Sequence, residues 1–375
     1  MGSISDFYQP SDQIRNMHAD ISRIPLLDAL KAIACLSIVL HHLAAYGPMS
    51  EIAYPLFPGL IDGFYEYGRI AVQVFFVVAG FLFAGKYAPD SVLLVIHPIQ
   101  AIKQRYFRLV VPYLAALTLA IGCAAVARCL MVHDSIPGAA DPLQLLAHAL
   151  LLQDLFDQEA LSAGIWYVAI DFQLFTVAVI LLWLGRQIQY RYPTLKAAGA
   201  AGLVLIAGLT LISLLIFNRE NFWDETAFYF FGSFGLGVLI HWASNKQHLL
   251  WLLLLVLLVI VALLVDFRSR IAVAGVVMLL LGLARRYNSV VENLPLPNFL
   301  TSVGRISYSI FLVHFPLCLI VNATFFHFFP AEPLTHAFGL ILALGVSILG
   351  GALFFKWVES NPLTIKTRVQ YQNNL

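Results

Sequence analysis

Imidazole is the side chain that gains or loses a proton near neutral pH, and two histidines here lie deep in apolar runs. The stretch LLDALKAIACLSIVLHHLAAYG from Leu26 places Lys31 and His42 eleven positions apart. On an α-helix that is about three turns, roughly 16 Å, along one face. Asp28 lies near the same stripe. His41 turns about 80° away and reads as a structural group. A cation at one end of a helical face and an imidazole near the other suggest a polar cavity through an apolar layer. Snorkelling is the competing reading for Lys31, and a buried neutral imidazole bonded to another helix is the one for His42.

Other polar groups recur at similar depth, where an ionised side chain costs several kcal/mol. GIWYVAIDFQLF from Gly164 holds Asp171 and Gln173, with Trp166 near its start. Asp171 is placed to orient or charge an imidazole across the cavity, and Trp166 also fits an interfacial anchor. In GRIAVQVFFVVAGFLFAGK, Arg69 has Gln73 one turn deeper on the same face. It can hold an anion or meet headgroups, while Ala79 and Gly80 invite close approach of another helix. GRISYSIFLVHFP carries Ser307, Tyr308 and His314 ahead of Pro316, a residue that can kink the helix near the histidine. His314 can bind substrate or hydrogen-bond between helices. Glu359, after the last apolar run, reads first as a clasp to a cytoplasmic Arg or Lys.

The elements that must hold these groups are membrane helices. Of 375 residues 60% are hydrophobic and 11% charged, and mean hydropathy is +0.83; a soluble chain carries about 25% charged residues. The apolar runs are long and do not alternate, so helices and not a barrel are expected. Runs of spanning length fall at 24–45, 69–87, 109–131, 163–184, 197–217, 226–242, 248–265, 271–284, 306–326 and 335–357. The expected fold is therefore an all-α polytopic integral membrane protein with about ten transmembrane helices. The run from Ile271 is the shortest, and 143–156 reads as a helix lying at one interface. With the N-terminus cytoplasmic, 17 of the 22 Lys and Arg fall on the cytoplasmic side; the others are Arg69, Arg128, Arg219, Arg268 and Arg270. That bias places both termini in the cytoplasm. The layout is a cytoplasmic segment 1–23, one transmembrane domain 24–358 and a cytoplasmic tail 359–375, with no cleaved signal peptide expected.

Several functions drop out. No basic stripe with interleaved aromatics supports nucleic-acid binding. No metal signature or phosphate loop occurs, so no metal is expected. Cys35, Cys123, Cys129 and Cys318 lack zinc or disulfide-framework spacing and read as structural thiols. No repeat marks a duplicated transporter. On the residues alone, enzyme and transporter stand level.

Four stretches together resemble the membrane-bound acyltransferase-3 family, which acylates sugars and surface polysaccharides. LDALKAIA from Leu27, ending in His42, resembles the family's LDGLRAIA helix and essential histidine, with Lys31 at its arginine. GRIAVQVFFVVAGFL resembles GVDIFFVLSGF, with Gln73 for its aspartate and Ala79 for its serine. WYVAIDFQLF resembles WSLSVEEQFY: Asp171 stands at the first glutamate, Phe172 at the second, and Gln173 is retained. SYSIFLVHFPL resembles SYSLYLWHWP, and Glu359 a terminal glutamate before proline. The four lie in family order from Leu27 to Pro362.

The resemblance implies transfer of an acyl group, most often acetyl, from cytoplasmic acyl-CoA to a hydroxyl of a sugar or exported glycan at a multi-pass inner membrane. No metal takes part. The implied site has His42 as general base, since a neutral imidazole can take a hydroxyl proton, and Asp171 steadying the imidazolium. Lys31, Lys103, Arg105 and Arg108, with Lys86, hold the cofactor. Arg69, Gln73, Trp166, Gln173, Tyr308 and His314 serve the substrate, Arg69 neutralising an oxyanion or acceptor charge. The partners are acyl-CoA, a carbohydrate acceptor and membrane lipid. The alternatives are a transporter or flippase for a lipid-linked or small glycoside, and a noncatalytic scaffold.

Overall fold

The computed structural model describes residues 25–95, 97–192, 199–245, 249–287 and 295–360, and within them every regular element is helical. The expected segment 1–23 and most of the expected tail, 361–375, lie outside the described residues. The helices are α1 (Pro25–Ala45), α2 (Pro48–Ala53), α3 (Pro58–Tyr67), α4 (Val72–Tyr87), α5 (Pro98–Leu130), α6 (Pro142–Leu150) and α7 (Trp166–Arg191). They continue with α8 (Ala200–Leu215), α9 (Ala227–Asn245), α10 (Leu249–Val265), α11 (Ser269–Arg286), α12 (Asn298–Arg305), α13 (Ser307–Phe328) and α14 (Pro333–Phe354).

Proline opens six of them, where its missing N–H would be unpaired in any case. Asp141 caps α6, accepting from the amides of Leu143 at 2.8 Å and Gln144 at 2.9 Å, while Gln144 accepts from the Asp141 amide. α6 with the turn Asp154–Phe156 occupies the stretch expected to form an interfacial helix.

Eight helical stretches are long and apolar enough to cross a membrane, α3 and α4 counting as one through the tight turn Gly68–Ala71. Helices occupy all ten expected positions, but α10 has 17 residues, and the 18-residue α11 is not among the eight. Some are longer than their apolar runs: α5 starts at Pro98 and spans 33 residues, about 50 Å. Its first turns carry Lys103, Arg105 and Arg108, which lower hydropathy without breaking a helix. On α10, Leu250, Leu253, Leu257 and Leu264 are each more than half exposed, as a lipid-facing surface requires.

The expected close approach at Gly80 is present. A Cβ there would lie 1.9 Å from the Phe234 carbonyl oxygen, and one on Gly237 2.0 Å from that of Val77, so α4 and α9 touch backbone to backbone. Around this pair, α7 packs on both helices and α1 on α4, while α13 packs on α1 and α5.

Candidate functional site: two chambers meeting beside paired histidines

Two cavities enter the bundle from opposite ends. The basic chamber, about 770 Å³, is lined by Lys31, Lys86, Arg105, Arg108, Arg305 and Glu359 among its polar groups, over Phe75, Leu82, Phe83 and Phe175. The distal chamber, about 440 Å³, is lined by His41, His42, Arg69, Gln73, Asp154, Trp166, Asp224, Glu225 and Arg270. Phe311 lines both.

His42 lies on α1, 7% exposed, with its Nδ1 at 2.7 Å from Nε2 of His314 on α13; the rings are 9° from parallel. His314 is fully buried, and its Nδ1 faces the carbonyl oxygens of Phe311 at 2.8 Å and Ile310 at 3.2 Å. Facing two acceptors, that nitrogen carries the proton. Neutral His314 then presents Nε2 as an acceptor, so His42 Nδ1 must donate. The remaining lone pair of His42 is on Nε2, the arrangement a general base needs. Gly164, with φ +84°, lets the chain pass beside this ring: a Cβ there would lie 3.1 Å from His42 Cε1 and 3.4 Å from Phe311 Cζ.

Four sequence expectations change. Asp171 does not support His42: its buried carboxylate accepts from the Arg105 guanidinium, which also lies over the Phe175 ring. The group in contact with the His42 ring is instead His314, which lines neither chamber, so it does not reach a cavity where substrate was expected to meet it. Lys103 is exposed and lines neither chamber, because two residues along a helix is a turn of about 200° from Arg105. Gln173 also lines neither; its Oε1 accepts from the Ala227 amide at the start of α9. It caps a helix.

The other expected residues line one chamber or the other. Lys31 pairs with Asp28 at 2.7 Å on the basic chamber wall. Tyr308 lines the same chamber and donates to the Leu109 carbonyl at 3.1 Å. Arg69, Gln73 and Trp166 line the distal chamber, where Gln73 accepts from Ser233 at 2.6 Å and Trp166 packs on Phe230. His41 meets the Phe64 carbonyl at 3.0 Å. Glu359 accepts from Ser309 at 2.6 Å on the wall of the basic chamber, which Arg108 and Arg305 also line. Sequence reasoning missed Arg305, and also Asp154, Asp224, Glu225 and Arg270 at the distal rim. These lie in or beside loops with no spacing signal. Among the described residues no group of three or more His, Cys, Asp or Glu could hold a metal ion.

Asp154 is outside the spanning helices, and burial, then the Glu225 carboxylate, push its carboxyl up to about 6. Gln153 donates to it at 3.0 Å, and Arg69, Arg270, Asp224 and His41 line the same chamber. A carboxyl raised in the folded state binds its proton more tightly there, so stability falls as pH rises from about 4 to 6. Asp154→Asn should therefore raise the melting temperature at pH 8, by about 2–4 °C per kcal/mol relieved, and leave it unchanged near pH 4. An equal shift at both pH values would contradict this assignment.

The family model Acyl_transf_3, described as an acyltransferase domain, matches residues 24–353. No curated protein and no solved structure matches the chain.

Proposed function

The chain belongs to the Acyl_transf_3 family of acyltransferase domains, and from that premise we propose that it moves an acyl group, acetyl in the first instance, from acyl-CoA to a hydroxyl of a sugar or exported glycan. The observation that carries this reading is the meeting of a basic and a distal chamber at Phe311, with His42 Nε2 left as an acceptor beside it.

The charge bias of the sequence assigns the basic chamber to the cytoplasm, with both termini on that side and α10 and α11 completing ten crossings of the inner membrane. Lys86, Arg108 and Arg305 then suit the phosphates of the cofactor at the rim, since guanidinium and ammonium groups pair with phosphate oxygens. Lys31, Tyr308 and the Arg105–Asp171 pair line the path of the pantetheine arm. The acceptor enters the distal chamber, where Trp166 offers a ring face and Arg69 and Gln73 offer donors.

His42 Nε2 takes the proton of the acceptor hydroxyl as its oxygen bonds to the thioester carbon. The carbon–sulfur bond then breaks, and the departing thiolate takes the proton from His42. Throughout, Nδ1–H stays directed at His314, so the imidazole neither rotates nor changes tautomer. Arg69 is placed to offset negative charge on the carbonyl oxygen or the acceptor.

The test uses purified protein in lipid nanodiscs with acetyl-labelled acetyl-CoA and a panel of glycosides. Binding competed by free CoA and labelled acetyl esters on a glycoside are expected. Movement of a glycoside across vesicles with no ester formed would overturn the reading in favour of a transporter.

A further inference from the structure

Three helices each contribute one aromatic ring where the chambers meet: Phe75 from α4, Tyr167 from α7 and Phe311 from α13. Tyr167 is 5.1 Å from Phe311 between ring centroids and 5.7 Å from Phe75, and Phe75 is 6.3 Å from Phe311. Phe75 and Phe311 are under 10% exposed. All three line the basic chamber, Phe311 lines the distal one as well, and His42 lines the distal one alone. Phe311 is thus the ring shared by the chamber that would hold a thioester and the chamber that holds the base, and Tyr167 and Phe75 pack against it from the basic side.

We propose that Phe75, Tyr167 and Phe311 form a partition that shields a bound thioester from distal-chamber water and admits to His42 only a short acyl group. The inference rests on the acyl-CoA reading above. An acceptor oxygen bonded to His42 Nε2 lies about 2.6–3.2 Å from it, and the thioester carbon must come within about 3–3.5 Å of that oxygen. The carbonyl therefore reacts at the partition, and the acyl tail beyond it competes with packed rings for space. A methyl group asks for a small ring rotation. Longer chains require a ring to leave its packing on the other two, which a close-packed interior resists.

The same rings decide what attacks. With the partition open, water in the distal chamber can replace the acceptor: its oxygen bonds to the thioester carbon, His42 takes its proton, and the carbon–sulfur bond breaks. The thiolate recovers the proton, leaving carboxylic acid and free CoA.

That uncoupled hydrolysis supplies the test without knowledge of the acceptor. Wild-type protein in nanodiscs, given acetyl-CoA or butyryl-CoA alone, is expected to bind acetyl-CoA and release thiol slowly. Phe311→Ala should raise thiol release from acetyl-CoA on the order of tenfold. It should also shift preference toward butyryl-CoA by about fourfold per added methylene, the burial gain of one CH₂. Both effects should vanish in the Phe311→Ala/His42→Ala double variant. Phe311→Leu, which keeps most of the volume, should move both readouts the same way by less and serves if the alanine variant misfolds. Unchanged hydrolysis and preference in a variant that still binds acetyl-CoA would overturn the partition alone. Failure of the wild type to bind acetyl-CoA would overturn the donor reading and the partition with it.

Discussion

His42→Ala is expected to lower acyl transfer by about 10²–10⁴-fold, the usual contribution of a positioned general base, while acetyl-CoA binding and membrane insertion persist. The argument is geometric. His314 Nδ1 is committed to carbonyl oxygens of its own helix, so its Nε2 can only accept, and His42 Nδ1 can only donate. Removing the His42 ring deletes the Nε2 acceptor and leaves His314 Nε2 without a partner, an unmade buried hydrogen bond costing about 1–3 kcal/mol. Folding must therefore be followed independently, by size exclusion and by melting with and without acetyl-CoA. The comparison that decides is turnover of labelled acetyl against donor affinity. Loss of turnover with affinity retained supports the base; full turnover in a folded variant removes it. Loss of both together would assign the ring to donor binding.

The sequence pointed to this histidine, and to much of the helical frame, for physical reasons that also mark where it fell silent. Apolar runs announce membrane helices, so helices lie at all ten expected positions; boundaries slipped where basic first turns, as at Lys103–Arg108, continue a helix that hydropathy stops counting. Arg69, Trp166 and His42 stood out because a polar or amphipathic group interrupts each apolar run toward its outer end, and all three line the distal chamber. Pairings across helices were not. His42 and His314 are 272 residues apart, and Arg105 and Asp171 66 apart. Periodicity says which residues share a face of one helix, but not which helix packs against that face. The same rotation that brings Arg105 inward turns Lys103 away, and the one that buries Asp171 in the basic chamber sends Gln173 to the end of α9. Once one contact per helix is known, the others follow from about 100° per residue.

The buried pair of Arg105 and Asp171 carries the second large effect, and it separates two roles for the carboxylate. Asp171 is 5% exposed at its side chain and Arg105 24%, so the two charges compensate each other with limited help from water. Breaking such a pair from one side typically costs about 3–5 kcal/mol, because the abandoned charge stays buried. Arg105→Ala should be the more severe change, since the carboxylate it leaves is the better enclosed; Asp171→Ala should fall at or below the lower end, since the Arg105 side chain reaches the chamber. The double variant Arg105→Ala/Asp171→Ala leaves no unpaired charge and should melt above the worse single variant. That corresponds to a coupling on the order of 2 kcal/mol, within the range for residues in direct contact. Additive losses would mean that the two groups act separately. Were Asp171 instead to support His42, Asp171→Asn would cut turnover with little change in melting temperature. The pairing predicts the reverse order: stability falls first, and turnover follows to the extent that Arg105 loses its position along the donor path.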